Sequence, residues 1–246
     1  MTDATRRSPH WLDVLAVASI LVALGFVLGG PSIASQGDAA PMLFVHVPTI
    51  WLAYLAFGVT FVASIAYLAT KRLRWDLVAG SSAEIGVVFT TVAVIGGAIW
   101  GKATWNTYWT WDARLTLTAI MLFVYIGYLA LRRAIVDPEA RARRSSVLGI
   151  LGLVQLIPVH FSVTWWVTLH QSTTFRPGDI QMDGPILTVL LVAVAAFTVI
   201  YAALLRHRVH LAELELAAYR AAAAVEGPVA GDAVTAPTIG TTEAGV

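Results

Sequence analysis

The sequence predicts an all-α membrane protein with six transmembrane helices, and three observations support this fold class. Of the 246 residues, 58% are hydrophobic and only 13% are charged, which is about half the charged fraction of an average soluble domain. The mean hydropathy is +0.74. The apolar residues form continuous runs long enough to cross about 30 Å of hydrocarbon as helices, without the alternating pattern of a transmembrane barrel.

Six apolar runs are predicted to cross the membrane, at residues 11–30, 43–70, 77–100, 114–136, 146–161 and 185–206. Arg6 and Arg7 precede the first run, as in a signal peptide. Its apolar stretch is longer than the usual roughly 7–15 residues, however, and no convincing A-x-A cleavage site follows it. We therefore interpret the first run as a retained span.

The basic residues are divided unequally between the two sides of the predicted bundle. Thirteen of the 16 precede span 1 or follow spans 2, 4 and 6, and the other side has Lys102, Arg114 and Arg176. Because cytoplasmic loops carry an excess of Lys and Arg, this division predicts that both termini are cytoplasmic. The 16 basic and 15 acidic residues nearly balance, so net charge gives no indication of nucleic-acid binding.

The chain is predicted to contain one membrane domain, residues 1–225, and a disordered tail, residues 226–246. The tail has no Lys or Arg and consists mainly of Ala, Gly, Thr, Val and Pro, a composition that cannot form a core. Before it, residues 206–224 are rich in Ala, Leu and Glu and are predicted to continue the sixth span as a cytoplasmic helix. Glu84, inside the third span, is interpreted as a packing or partner contact.

Tryptophan is concentrated on the predicted outer side. Seven of the nine tryptophans occur there: Trp51, Trp100, Trp105, Trp109, Trp111, Trp165 and Trp166. An aromatic belt at the lipid headgroups would be expected at both interfaces. Four of the seven also crowd into one loop, at about residues 100–114, within WGKATWNTYWTWDARLT. This density favours a platform on which a large planar apolar ligand can stack.

Two histidines flank this loop on the same predicted face, His46 in LFVHVPTIW and His170 in SVTWWVTLHQ. A single histidine is more often structural, but two beside a tryptophan loop favour neutral imidazole ligands of iron. His160 also lies on this side, and spacing alone does not exclude it. Asp112 either caps a helix or shapes the ligand site, and the three outer cations could face ligand carboxylates. The chain has no cysteine, which excludes disulfides, thiolate metal sites and haem attachment through C-x-x-C-H.

The tryptophan loop resembles the WWD signature of membrane proteins that handle haem. Its ending, WDARLT, is similar to the CcmC family of the cytochrome c maturation pathway (Ccm, System I). The segments FVHVPTIW and WWVTLHQ are similar to the two histidine segments of that family, so the resemblance covers about residues 41–175. One departure is Asn106, where relatives often have glycine, and Asn is the next most suitable residue for the backbone freedom that glycine supplies.

The resemblance implies a non-enzymatic protein of the bacterial cytoplasmic membrane. Such a protein would hold haem b as cargo at the outer, periplasmic face and deliver it to the haem chaperone CcmE. The implied partners are CcmE, the small protein CcmD, the ABC transporter subunits CcmA and CcmB, and membrane lipid. His46 and His170 match the axial ligands of the haem iron, and His160 is not required. The other predicted haem contacts are Trp100, Trp105, Trp109, Trp111, Asp112, Arg114, Trp165 and Trp166.

Two other classes of function remain as alternatives. A permease that moves haem or another small solute would need polar residues along a path through the midplane, and apart from Glu84 the predicted spans are nearly free of charge. A b-type electron-transfer subunit usually binds haem between histidines within helices, and none of the six histidines lies well inside a predicted span.

Overall fold

The computed structural model describes residues 10–30, 37–171, 175–176, 179–180 and 182–226. Within these ranges there are seven α-helices: α1 (Trp11–Leu28), α2 (Leu43–Thr70), α3 (Leu73–Trp105), α4 (Ala113–Ala134), α5 (Pro138–Val154), α6 (Leu156–Trp165) and α7 (Gly184–Glu226). A 3-10 helix (Gly37–Met42) precedes α2, and strands β1 (Phe175–Arg176) and β2 (Asp179–Ile180) pair antiparallel before α7. These helices include six candidate membrane spans, so the predicted all-α, six-span fold is confirmed.

The fifth span differs most from the prediction, because it runs from Pro138 to Trp165 as two consecutive helices. It begins early because the Asp137 carboxylate accepts a hydrogen bond from the Ala140 amide at 2.6 Å, with proline at the first helical position, where it is well tolerated. The basic residues of its first turns lower the local hydropathy, so the apolar run begins later than the helix does.

The break between α5 and α6 falls at Gln155. Pro158 has no amide hydrogen to donate to the carbonyl four residues earlier, which interrupts the helical hydrogen bonding there. The Gln155 side chain donates to the Leu117 carbonyl of α4 at 3.5 Å. The break therefore places a polar side chain between neighbouring helices.

Helices α3 and α7 also extend beyond their predicted limits. The last helix continues without interruption to Glu226, which confirms the predicted helical continuation of the sixth span. Of the predicted tail, residues 227–246 lie outside the described residues.

Helix α2 is central and packs against α3, α5 and α7. Its contact with α3 is close because small residues recur along α3 at intervals of three and four: Ala79, Ala83, Gly86, Thr90, Ala93 and Gly97. Such residues let membrane helices approach closely and make interhelical hydrogen bonds. Here Ser82 donates to the Ala56 carbonyl at 2.7 Å. The core beyond this interface includes a stacked pair, Phe57 on Tyr125, with centroids 3.6 Å apart.

Ion pairs gather at one end of the bundle, near the α2–α3 and α4–α5 connections, which we term the arginine end. There Arg132 binds the fully buried carboxylate of Asp76 through both side-chain oxygens. Arg208 pairs in the same bidentate manner with Glu84. The latter contact agrees with the interpretation of Glu84 as a packing residue.

Candidate functional site

The opposite end, which we term the tryptophan end, contains the α3–α4 loop and the segment that follows α6. The first predicted ligand, His46, lies in the first turn of α2 on the face toward α3. A methyl group added at Gly97 would come within 2.8 Å of the His46 ring, so the imidazole occupies the space that this glycine leaves. The ring meets the edge of Trp100, with centroids 5.6 Å apart and planes at 63°. Its Nδ1 is buried and has no hydrogen-bond partner among the described residues.

The tryptophan loop begins where α3 ends, at Asn106. This residue adopts the left-handed conformation, with φ 58° and ψ 20°, a geometry that glycine and asparagine accept most readily. Lys102 closes the turn by donating to the Asn106 side-chain oxygen at 2.8 Å and to its carbonyl at 3.2 Å. Asparagine therefore supplies both the backbone conformation and a side-chain acceptor at this position.

Asp112 ends the loop and connects it to the second histidine. One carboxylate oxygen accepts from the Leu115 amide at 2.9 Å and caps α4. The other accepts from the Leu169 amide at 3.1 Å, and Leu169 directly precedes His170. The helix-cap interpretation of Asp112 is thus confirmed, and the same side chain also anchors the segment after α6.

His170 is half-buried beside Trp105, with ring centroids 6.3 Å apart. Its Nδ1 lies 3.1 Å from the Gln171 carbonyl, which requires a proton on Nδ1 and leaves the Nε2 lone pair available. Burial, and then the nearby Arg114 guanidinium, lower the pKa of His170 to about 4. The imidazole is therefore neutral at physiological pH, as metal ligation requires.

Arg114, in the first turn of α4, points toward α6. Its guanidinium lies 3.4 Å from the Val159 carbonyl and 3.5 Å from the His160 carbonyl. It is near enough to act electrostatically on both His46 and His170. Arg114 thus joins α4 to α6 and places one positive charge near both imidazoles.

The remaining tryptophans of this end form two separate groups. Trp109 and Trp111 meet edge to face at 5.6 Å, and Trp111 is 81% exposed. Trp165 stacks on Phe161 at 5.3 Å and meets Trp166 at 5.7 Å. The indole N–H groups of Trp100 and Trp109 are buried without a hydrogen-bond partner in the described part of the chain.

The structure thus brings His46 together with Trp100, and His170 together with Trp105, Asp112 and Arg114. Among the described aromatic pairs, none joins Trp165 or Trp166 to the loop tryptophans. The His160 ring is exposed and packs on Phe161 at 5.0 Å. The Arg176 side chain lies outside the described residues. Which of these residues contact a ligand remains a prediction.

Two glycines shape this end, and no sequence motif assigns either one that role. Gly97 makes room for His46. At Gly101, an added methyl group would lie 3.2 Å from the Thr107 carbonyl and 3.4 Å from the Trp105 ring, so the loop folds closely over this position. The small residues of α3 continue at the same spacing from Ala93 to Gly97. This spacing is the sequence signal that could have identified Gly97 as a residue that makes room for a neighbour.

Comparison with known proteins identifies the family. Residues 1–223 match the CcmC family, described as heme exporter protein C. The chain belongs to the CcmC family. It is 39% identical over 203 residues to "Heme exporter protein C" of Bradyrhizobium diazoefficiens, covering 81% of this chain and 76% of that relative. It is 35% identical over 198 residues to the Haemophilus influenzae protein of the same name, covering 78% and 80%.

A relative outside bacteria is also similar. It is described as "Putative cytochrome c biosynthesis ccmC-like mitochondrial protein" of Marchantia polymorpha and is 33% identical over 167 residues, covering 68% of this chain and 71% of the relative. The CcmC family comprises multi-pass membrane proteins of cytochrome c biogenesis that handle haem, and it is not an enzyme family. The resemblance drawn from the tryptophan loop and the two histidine segments is therefore confirmed.

Asp112→Ala is expected to loosen the segment that carries His170, because it removes the acceptor of the Leu169 amide as well as the α4 cap. Loss of one hydrogen bond of about 1 kcal/mol should raise the hydrogen-exchange rate of the Leu169 amide roughly fivefold to tenfold. Exchange measured by mass spectrometry on peptides covering residues 166–171 checks this. The matched control is Asp137→Ala, which removes an equivalent cap from α5 and should leave that peptide unchanged. Equal exchange in the two variants would disprove the link.

Proposed function

We propose that this chain binds haem b at the tryptophan end, on the periplasmic face of the bacterial cytoplasmic membrane, and delivers it to the haem chaperone CcmE. CcmD and the ABC transporter subunits CcmA and CcmB are its proposed partners. The observation that carries the proposal is that His46 and His170, each beside a tryptophan of the same region, both lie near Arg114. Family membership supports haem as the cargo.

The two imidazoles suit coordination of iron in different ways. The hydrogen bond from His170 Nδ1 to a backbone carbonyl is the usual arrangement of a ligating histidine, since it orients the ring and fixes the tautomer. His46 has a buried nitrogen without a partner in the described residues, and such a nitrogen costs free energy unless a ligand or water satisfies it. Two neutral imidazoles would give a six-coordinate, low-spin iron.

The tryptophans suit a cargo that is bound and then released. Trp111, Trp165 and Trp166 are 81%, 54% and 50% exposed. Large exposed aromatic surfaces offer stacking area to a planar porphyrin and are also typical of surfaces that receive a partner protein. Arg114 acts electrostatically on both imidazoles, whereas Lys102 is held at the end of α3 by Asn106, so Arg114 is the better candidate of these two to face haem carboxylates.

The alternative of a permease is less well supported. The middle of the bundle is filled by a cluster that includes Phe57, Met121, Tyr125 and Val159, each no more than 1% exposed. The ion-paired carboxylates described above lie at the arginine end rather than along a path between the two ends. A haem site confined to the tryptophan end favours a protein that holds and delivers haem over one that conducts a solute across the membrane.

Sidedness can be tested with a matched pair of cysteine variants, because the chain has no cysteine of its own. Val167 and Val136 lie in loops at opposite ends and are 99% and 74% exposed. In intact cells, a membrane-impermeant maleimide is expected to label Val167→Cys and to leave Val136→Cys unlabelled until the membrane is permeabilised. The reverse pattern would place the histidines on the cytoplasmic side and refute periplasmic delivery.

The iron ligands can be tested by the spectrum of haem that purifies with the protein. His46→Ala and His170→Ala should each convert a six-coordinate low-spin spectrum to high spin and lower haem occupancy several-fold, because each removes one axial ligand. Added imidazole should partly restore the spectrum by filling the vacant position. His160→Ala, in an exposed histidine of α6, is the control and should be unchanged. If the low-spin spectrum is lost in His160→Ala and retained in the other two variants, the ligands are assigned wrongly.

The platform can be tested by replacing Trp105, Trp109 and Trp111 together with alanine. Since the loop lies outside the helices' packed core, the variant should still insert into the membrane, while haem-loaded chaperone falls at least tenfold as stacking area is lost. The control replaces three tryptophans outside this loop, Trp11, Trp51 and Trp75, with alanine. Chaperone loading is measured by haem staining of the chaperone, normalised to the amounts of both proteins on immunoblots. If the loop variant loads the chaperone with haem normally, these tryptophans act only as membrane anchors.

A further inference from the structure

A cavity of about 410 Å³ lies at the arginine end, on the opposite end of the bundle from the histidines. It is bounded by α3, α4, α5 and the part of α7 that extends beyond Arg206. Arg132, Arg133, Arg141 and Arg208 line it, together with Glu84 and Glu215. The haem site does not use any of these groups.

The cations in this cavity outnumber the carboxylates that can neutralise them. Asp76, just behind the wall, accepts from both Arg132 and Ser145. Arg141 lies 3.7 Å from the same carboxylate, which is too far for a hydrogen bond. Four guanidinium groups therefore face three carboxylates, those of Asp76, Glu84 and Glu215.

Two of the guanidinium groups keep buried donors without an acceptor in the described part of the chain. These donors are Arg141 Nε and Arg208 Nη1, and Glu215 is 3.6 Å from the latter. A buried charged donor without a partner costs more than a neutral one. An anion with several acceptor oxygens would satisfy both donors and balance the excess charge, and guanidinium groups match phosphate in this way.

The wall of the cavity is apolar next to these donors. Leu77, Leu129, Val136 and Leu216 line it, and Val136 is 74% exposed. A ligand that combines a phosphate with hydrocarbon would contact both surfaces. Phospholipid headgroups at the cytoplasmic leaflet have this chemistry and are attracted by basic residues near the membrane surface.

We propose that the cavity at the arginine end binds a phosphate group, presented either by an anionic phospholipid or by a soluble phosphate. The proposal is independent of haem binding, because it concerns other residues at the other end of the bundle. Arg133, exposed at the end of α4, and Arg141, on α5, supply the charge that the carboxylates leave unbalanced. Occupancy would tie together α4, α5 and α7 around α3.

The test uses the purified full-length protein in a nonionic detergent, with Tm followed by tryptophan fluorescence. The probes are dioctanoyl phosphatidylglycerol and inorganic phosphate, with uncharged dioctanoylglycerol as the control for the acyl chains. A ligand that binds the folded state raises Tm saturably. A rise with phosphatidylglycerol alone identifies a lipid headgroup, and a rise with inorganic phosphate as well identifies a soluble phosphate site. No rise with either, or an equal rise with dioctanoylglycerol, overturns the proposal.

The decisive variant is R133Q/R141Q, for which the half-saturating concentration should increase at least tenfold. Its control is R143Q/R144Q, which removes the same charge from exposed positions on α5 that do not line the cavity. Equal weakening in the two variants would mean general attraction to a basic surface and would overturn the site. If R133Q/R141Q does not fold, R133Q against R143Q makes the same comparison, since the exposed Arg133 side chain can be changed without opening the core.

Discussion

The close contact between α2 and α3 is the interaction on which the rest of the structure depends. Small residues at intervals of three and four along α3 let α2 approach closely. Side-chain hydroxyls of one helix then reach backbone carbonyls of the other, as Thr60 does by donating to the Ala79 carbonyl at 3.3 Å. Membrane helices have no hydrophobic drive to associate within lipid, so such close packing supplies much of their attraction. The same contact ends at Gly97, where the missing side chain admits His46 and aligns it with Trp100 one turn later.

The second histidine lies on a different part of the chain, so the site needs a link between distant segments. Asp112 supplies it with two acceptor oxygens, one for the start of α4 and one for the Leu169 amide. Arg114, two residues later in the first turn of α4, donates to the α6 carbonyls. Together these two side chains hold the tryptophan loop, α6 and His170 in one arrangement. The WDAR segment of the signature is thus a structural junction, in addition to its proposed role in binding.

The sequence was sufficient to predict the helical fold and its six spans, but not the contacts between them, and the residues of the candidate site stay a prediction. Hydropathy located the six spans because burial in lipid demands long apolar runs. It misplaced the start of the fifth span, since Asp137 and Pro138 begin a helix whose first turns are basic. The contact of Asp112 with Leu169 joins residues 57 positions apart, and that of Gly97 with His46 joins residues 51 positions apart. No local pattern contains such contacts, although the small residues of α3 mark the face that α2 covers.

The two ends of the bundle avoid the cost of an unpaired buried charge in different ways. At the arginine end the charge of Asp76 is buried only because Arg132 accompanies it, since an unpaired buried charge would cost several kcal/mol. At the tryptophan end His170 avoids that cost by remaining neutral, its pKa lowered to about 4 by burial and by Arg114. In the proposed function, iron would bind a neutral imidazole without release of a proton, so His170 would bind and release haem near neutral pH without a change of protonation.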